Sequence, residues 1–109
     1  MKTVSYDEKF KGTVTFFDPL TITQGAAWEY AIADFQKSRD KGGGVDAMNL
    51  AFIPGIIACV SEWKLEGFPE RVTIDSFSEQ SRKDRSSLIS FLVTEISKIY
   101  SEEEDDPNE

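Results

Sequence analysis

Residues 88–100 read Leu-Ile-Ser-Phe-Leu-Val-Thr-Glu-Ile-Ser-Lys-Ile-Tyr, and their spacing is the clearest structural signal in the chain. The apolar residues recur at steps of three and four, which places them on one face of an α-helix. This pattern predicts a helix that packs on a core along that face. Asp84 and the neighbouring serines supply groups that would cap its amino end.

A second helical pattern lies before the chain's triple glycine. Thr21-Ile22-Thr23-Gln24 matches a capping box, in which the threonine and glutamine satisfy each other's backbone amides. The following stripe consists of apolar residues at helical spacing: Ala27, Trp28, Ala31, Ile32 and Phe35. Because glycine is costly inside a helix, Gly42-Gly43-Gly44 is expected to end this element.

A further helix is predicted after the glycines, beginning near Asp46 as N-cap. Its apolar face is broad and runs from Met48 to Trp63, which predicts the central and most buried helix of the fold. Pro54 falls inside it, so the helix either kinks there or consists of two helices that abut. Gly67 is the expected C-terminal cap.

The amino-terminal region has the character of strands. Val4, Tyr6 and the run Gly12–Phe17 are β-branched or aromatic with partial alternation, and Asp18-Pro19 ends the run. A hairpin that turns near residues 7–9 is expected. Between the last two helices, residues 68–82 read as a polar connection that is extended or forms a short turn, with Phe77 docked on the core.

These patterns predict a mainly α fold of the α+β class, with three to four helices and a small N-terminal β-hairpin or strand. Residues 1–100 are expected to form a single globular domain. Residues 101–109 contain no apolar side chain and several like charges, which predicts a disordered acidic tail.

Composition narrows the classes of function. The chain has 109 residues and a net charge of −8, which disfavours binding to nucleic acids and to anionic membranes. With one cysteine no internal disulfide can form, which fits a reducing compartment. The N-terminus lacks the apolar core of a signal peptide, and the longest apolar stretch, residues 50–60, is too short to span a bilayer. A cytoplasmic location is expected.

The residues for common chemistry are missing or poorly placed. There is no histidine, which removes the commonest general base and transition-metal ligand. Cys59 is interpreted as a buried small hydrophobe, and Glu62 with Glu66 as a solvated helix face. The triple glycine is not followed by Gly-Lys-Ser/Thr, as a phosphate loop requires. The prediction is therefore a protein without catalytic, cofactor or metal sites that acts by binding another protein.

Candidate partner contacts are aromatic and apolar. Phe16 and Phe17 are adjacent, so on a strand they face opposite sides and one of them needs a second cover. Trp63, Leu65 and Phe68 precede Pro69 at the expected helix end. They either pack on the chain's own core or form an exposed anchor, since Trp and Phe are frequent at interface hot spots.

Several segments together resemble the small tail assembly chaperones of long-tailed bacteriophages and prophages, the siphophage minor tail assembly protein family. The similarity spans about residues 10–100 and consists of apolar, glycine and proline positions. The segments that resemble the family are Phe10–Leu20, Gln24–Glu29, Phe52–Ile56, Glu62–Phe68, Leu88–Val93 and Ile99-Tyr100.

This resemblance implies a role in tail assembly. Such chaperones bind the apolar tape-measure protein, keep it soluble and extended, and are absent from the finished tail. Many are made in two lengths by ribosomal frameshifting, and the longer form is thought to recruit tail-tube protein. The chain would then be the short form or its N-terminal domain, and self-association is compatible with the role. The family has no catalytic motif to match onto this sequence.

Two other interpretations remain open at this point. One is a structural tail or head–tail connector subunit that stays in the virion. The other is a cellular adaptor or inhibitor, for example an acidic mimic of nucleic acid. A mimic requires carboxylates ordered along one surface, whereas the densest carboxylates here lie in the tail.

Overall fold

The structure is a computed structural model that describes residues 1–78 and 80–104. Within these residues the chain forms a three-stranded antiparallel sheet and four helices, which confirms the predicted α+β class. In chain order the elements are β1 (Lys2–Tyr6), β2 (Gly12–Phe16), α1 (Ile22–Asp40), α2 (Val45–Cys59), β3 (Val60–Leu65), α3 (Ile74–Ser78) and α4 (Arg82–Glu104).

The sheet has the order β1-β2-β3. The predicted hairpin is confirmed, with Lys2 opposite Phe16 and Tyr6 opposite Gly12. Strand β3 pairs on the other side of β2, from Gly12 opposite Leu65 to Phe16 opposite Val60. At Gly12 a Cβ atom would lie 1.9 Å from the Lys64 carbonyl oxygen, so only glycine permits this approach of the two strands.

Strand β3 replaces what was predicted as the end of the second helix, and that prediction is wrong. Helix α2 ends at Cys59 and the chain enters the strand directly. From Glu62 to Leu65 exposed and buried side chains alternate, which is the strand period. Gly67, expected as a helix cap, instead has φ 75° in the turn after β3. The broad apolar pattern concealed this change of period.

The sequence signals that were predicted to begin and end α1 and α2 are confirmed in part. The capping box is confirmed: Thr21 Oγ1 accepts from the Gln24 amide at 3.1 Å, and Gln24 Oε1 accepts from the Thr21 amide at 2.9 Å. The triple glycine separates the two helices as predicted. The N-cap of α2 is Gly44, so Asp46 lies in the first turn and is not the cap. A single helix continues through Pro54.

Helix α4 is longer than expected at both ends. It begins at Arg82, which places Asp84 in its first turn, and it continues to Glu104. Residues 101–104 of the predicted disordered tail are therefore helical, because extending an existing helix is far easier than nucleating one and glutamate is a good helix former. The prediction for residues 105–109 lies outside the described residues.

The core lies between the inner face of the sheet and the helices. Phe91 of α4 contacts the rings of Tyr6 and Phe16, with centroids 4.8 Å and 6.5 Å away. Phe77 of α3 is buried, which confirms its docking on the core. The other fully buried side chains come from the strands and the longer helices: Val14, Phe16, Trp28, Ile56, Cys59, Leu88, Ile89, Leu92, Ile96 and Ile99.

Among the described residues, no helix is both long enough and apolar enough to cross a membrane.

Candidate protein-binding surface

The residues predicted as partner contacts lie mostly in the core of the chain itself. Phe16, Trp63, Leu65 and Phe68 are each at most 6% exposed, and Phe17 is half-buried. An exposed anchor needs accessible side chains, so the structure favours the alternative in which these residues pack on their own core. The candidate surface therefore has to be sought elsewhere.

The aromatic cluster at this end of the sheet explains the burial. Trp63 projects inward from β3, and its Nε1 donates a hydrogen bond to the Pro69 carbonyl oxygen at 2.7 Å. Its ring meets Phe68 and Phe77 edge to face, with centroids 5.4 Å and 5.6 Å away. Phe10 packs against Phe68 in the same way. The cluster is satisfied within the chain and has no need of a partner.

Helix α2 is unusual because apolar side chains lie on both its inner and its outer face. Asp46 and Asn49 are its only polar residues. The inner face buries Ile53 and Ile56 in the core. A helix that is apolar all round is normally covered on all sides. In the part of the chain that the structure describes, one side of α2 is left uncovered.

The uncovered side is a stripe at helical spacing, which we call the α2 outer stripe. Ala47, Leu50 and Pro54 are exposed, and Leu50 has 54% of its surface accessible. Half-buried residues complete the stripe on the side towards α1: Ala51 and Ala58.

Pro54 gives the stripe a backbone hydrogen-bond acceptor. Proline has no amide hydrogen, so the Leu50 carbonyl oxygen cannot receive the usual helical bond from position 54. Both residues belong to the exposed part of the α2 outer stripe. A carbonyl that lacks its regular helical donor can accept a hydrogen bond from a partner or from water.

Close packing against α1 fixes the orientation of α2. A Cβ atom at Gly55 would lie 2.7 Å from the Ala31 Cβ and 3.0 Å from the Trp28 ring, so the two helices touch at this glycine. Phe52 stacks on Phe35 and Trp28, with ring centroids 4.7 Å and 5.7 Å away. These contacts use the inner side of α2 and leave the outer stripe presented in a defined geometry.

Three residues were considered for catalysis: Cys59, Glu62 and Glu66. The Cys59 thiol is fully buried, as predicted, and lies 3.8 Å from the Gln24 carbonyl oxygen. Glu62 and Glu66 do not share a helix face, because Glu62 lies on β3 and Glu66 follows it. No group of three or more potential metal ligands occurs among the described residues.

Comparison of the chain with protein-family models, curated proteins and solved structures finds no match. A function is therefore inferred from the surface of the chain and from its sequence pattern.

The outer stripe was missed by sequence reasoning, although a signal for it exists. In the run Val45–Cys59 the apolar residues occupy more than one helical face. A small domain with one core can cover only one such face. An excess of apolar faces on a central helix therefore predicts an uncovered surface, whereas single aromatic residues do not reveal whether they are inside or outside.

Proposed function

We propose that the chain is a non-enzymatic assembly chaperone that binds the tape-measure protein through the α2 outer stripe during phage tail assembly in the host cytoplasm. The observation behind this proposal is the uncovered apolar side of α2, centred on Leu50 and Pro54. The sequence resemblance to tail assembly chaperones supports the identity of the client. By that resemblance, tail-tube protein would be a partner of a longer form.

The shape of the stripe suits a helical client. From Ala47 to Ala58 it extends about 16 Å along the helix axis, or roughly three turns. Alanines on the stripe allow a second helix to approach closely, and Leu50 supplies a projecting apolar side chain. An amphipathic helix that lays its apolar face on such a surface is a common mode of peptide recognition.

The size of the stripe fits transient binding. A single helix face is smaller than the interfaces of permanent complexes, so one contact would be weak and reversible. A chaperone that is released before the tail is complete benefits from such weakness. Several copies along an extended client would together bind it firmly, because each additional contact becomes intramolecular.

The charge of the chain supports the same role. A net charge of −8 keeps the chain soluble while an apolar surface is exposed. The same charge opposes contact with the genome that is packaged in the same cell. A complex with an apolar client would also carry this negative charge and would therefore stay soluble.

Co-expression with the tape-measure protein of the same phage or prophage tests the proposal. We expect more soluble tape-measure protein, co-elution of the two chains, and no copy of this chain in purified particles. If the tape-measure protein precipitates as it does alone and the chain is found in mature particles, the chain is instead a structural tail or connector subunit.

A further inference from the structure

A groove with a volume of about 540 Å³ lies between the edge strand β1 and helix α4. The strand side and the turn after it contribute Tyr6, Asp7 and Glu8. The helix side contributes Ser87, Phe91 and Glu95. Among the side chains that the structure describes, the lining contains carboxylates, hydroxyls and aromatic rings but no lysine or arginine.

Tyr6 has a polar group that the fold does not satisfy. The side chain is 3% exposed, and its buried hydroxyl has no partner in hydrogen-bond geometry among the residues that the structure describes. Burial raises the pKa of Tyr6, the charge of Glu8 raises it further, and the nearby Ser87 hydroxyl lowers it. Tyr6 and Ser87 are both lining residues of the groove. A buried hydroxyl without a partner is costly unless a ligand completes it.

The groove lies at the end of an open sheet edge, beside Ser5 and Tyr6 of β1. Within the described residues β1 pairs only with β2, so its other edge has no strand beside it. Alternate residues of an edge strand direct unpaired backbone amide and carbonyl groups outwards. Such an edge is able to accept an additional strand from another chain.

We propose that this groove binds an extended basic segment of another protein, which adds as a strand to β1 and inserts a lysine or arginine side chain beside Tyr6 and Phe91. The surface is separate from the α2 outer stripe, and the inference does not depend on the proposed chaperone role.

Charge identifies this occupant. Asp7, Glu8 and Glu95 surround the groove with negative charge, and Glu95 is only 8% exposed. The rings of Tyr6 and Phe91 lie 4.8 Å apart, and an aromatic face in a partly desolvated site attracts a cation. The chain's own acidic C-terminal residues are repelled from the same site, and so is a second copy with a net charge of −8.

Glu95 already pairs with a cation of the chain itself, Lys98. Lys98 approaches its carboxylate with an N–O distance of 3.0 Å from the solvent side, and the lysine side chain is 57% exposed. Because Lys98 is the exposed member of this pair, an incoming cation can share the Glu95 carboxylate with it or replace it.

An NMR titration of the ¹⁵N-labelled chain tests the proposal. The probe is the blocked peptide Thr-Val-Thr-Lys-Thr-Val-Thr, and the matched peptides have glutamate or norleucine in place of lysine. We expect the lysine peptide to shift amide signals of residues 2–8 and 87–95, the norleucine peptide to bind more weakly, and the glutamate peptide not to bind.

Paired variants separate the local site from the overall charge. Asp7→Asn with Glu8→Gln should weaken binding of the lysine peptide by about tenfold. Glu62→Gln with Glu66→Gln removes the same charge from β3 and the turn after it, and should leave binding within about twofold. Tyr6→Phe should weaken binding without abolishing it, because it removes only the hydroxyl.

The proposal is overturned by any of three results. One is equal binding of the lysine and glutamate peptides, and another is equal loss of affinity in the two charge-paired variants. The third is the absence of shifts in β1 and α4 at about 1 mM lysine peptide, a concentration that detects even weak binding.

Discussion

Tyr6 buries a hydroxyl that has no hydrogen-bond partner among the described residues, and this residue gives a direct test of the described packing. Replacing it by phenylalanine keeps the ring contact with Phe91 and removes the unsatisfied group. We expect Tyr6→Phe to raise the free energy of unfolding by about 1 kcal/mol at neutral pH. Urea denaturation measures this change, and a loss of similar size would show that the hydroxyl has a partner in the folded chain.

The same residue predicts a dependence on pH. The pKa of Tyr6 is raised above its ordinary value of 10.0, chiefly by burial. The folded chain therefore retains this proton at pH values where the unfolded chain has released it. The associated stability is complete below about pH 10 and is lost as the pH rises through the folded pKa.

Tyr6→Phe lacks this titration and provides the comparison. The difference in free energy of unfolding between the variant and the wild type should be constant from about pH 7 to 9 and should increase above about pH 10. A difference that stays constant through the alkaline range would contradict the burial of the phenol.

Two glycines in helices differ in the space around them, so replacing each of them gives a matched pair of variants. Gly55 on α2 lies against Ala31 and Trp28, whereas at Gly25 on α1 no described atom beyond the adjoining backbone lies within 4 Å of a Cβ atom. Gly55→Ala should destabilise the chain by about 1–3 kcal/mol through overpacking. Gly25→Ala should stabilise it by about 0.5–1 kcal/mol through helix propensity.

Thermal or urea unfolding of both glycine variants checks the close approach of α1 and α2. If Gly55→Ala is as stable as Gly25→Ala, the two helices do not touch at this position. The comparison is informative because both variants add the same methyl group to a helix.

The capping box at the start of α1 predicts that removing one hydroxyl lowers the free energy of unfolding measurably. Thr21 Oγ1 satisfies the Gln24 amide, so Thr21→Ala should lower the free energy of unfolding by about 1 kcal/mol. Thr23→Ala, two residues later and also exposed, is the control and should have a much smaller effect. Equal effects would mean that the hydrogen bond contributes nothing specific.

Elements with a local signal were predictable, and an element defined by distant contacts was not. The capping box and the 3.6-residue spacing predict α1 and α4, and the β-branched residues predict the hairpin. Strand β3 forms because residues 60–65 find an open edge on β2, more than forty positions earlier in the chain. Local spacing contains no information about that edge, so the residues were assigned to the preceding helix.

Exposure is a property of the whole molecule and was the hardest feature to predict. Phe16, Trp63, Leu65 and Phe68 become buried because β3 joins the sheet and places its inner face against the core. Leu50 remains outside, on a helix that was predicted to be the most buried one. Which side of an all-apolar helix is covered depends on how many elements pack on it. In this chain the elements that pack on α2 leave one side open.

The central claim is that the α2 outer stripe binds the client. Leu50→Glu places a charge on the stripe, and Ile74→Glu is the control because Ile74, at 49% exposed, is nearly as accessible as Leu50 at 54%. Since both side chains are largely in solvent, each variant should unfold within about 0.5 kcal/mol of the wild type.

The most direct measurement is the amount of soluble tape-measure protein that co-purifies with the wild type, Leu50→Glu and Ile74→Glu. We predict at least a tenfold loss for Leu50→Glu, as expected when a buried interface residue is replaced by a charge, and wild-type recovery for Ile74→Glu. Equal recovery with all three folded proteins would contradict the claim that this stripe is the binding surface.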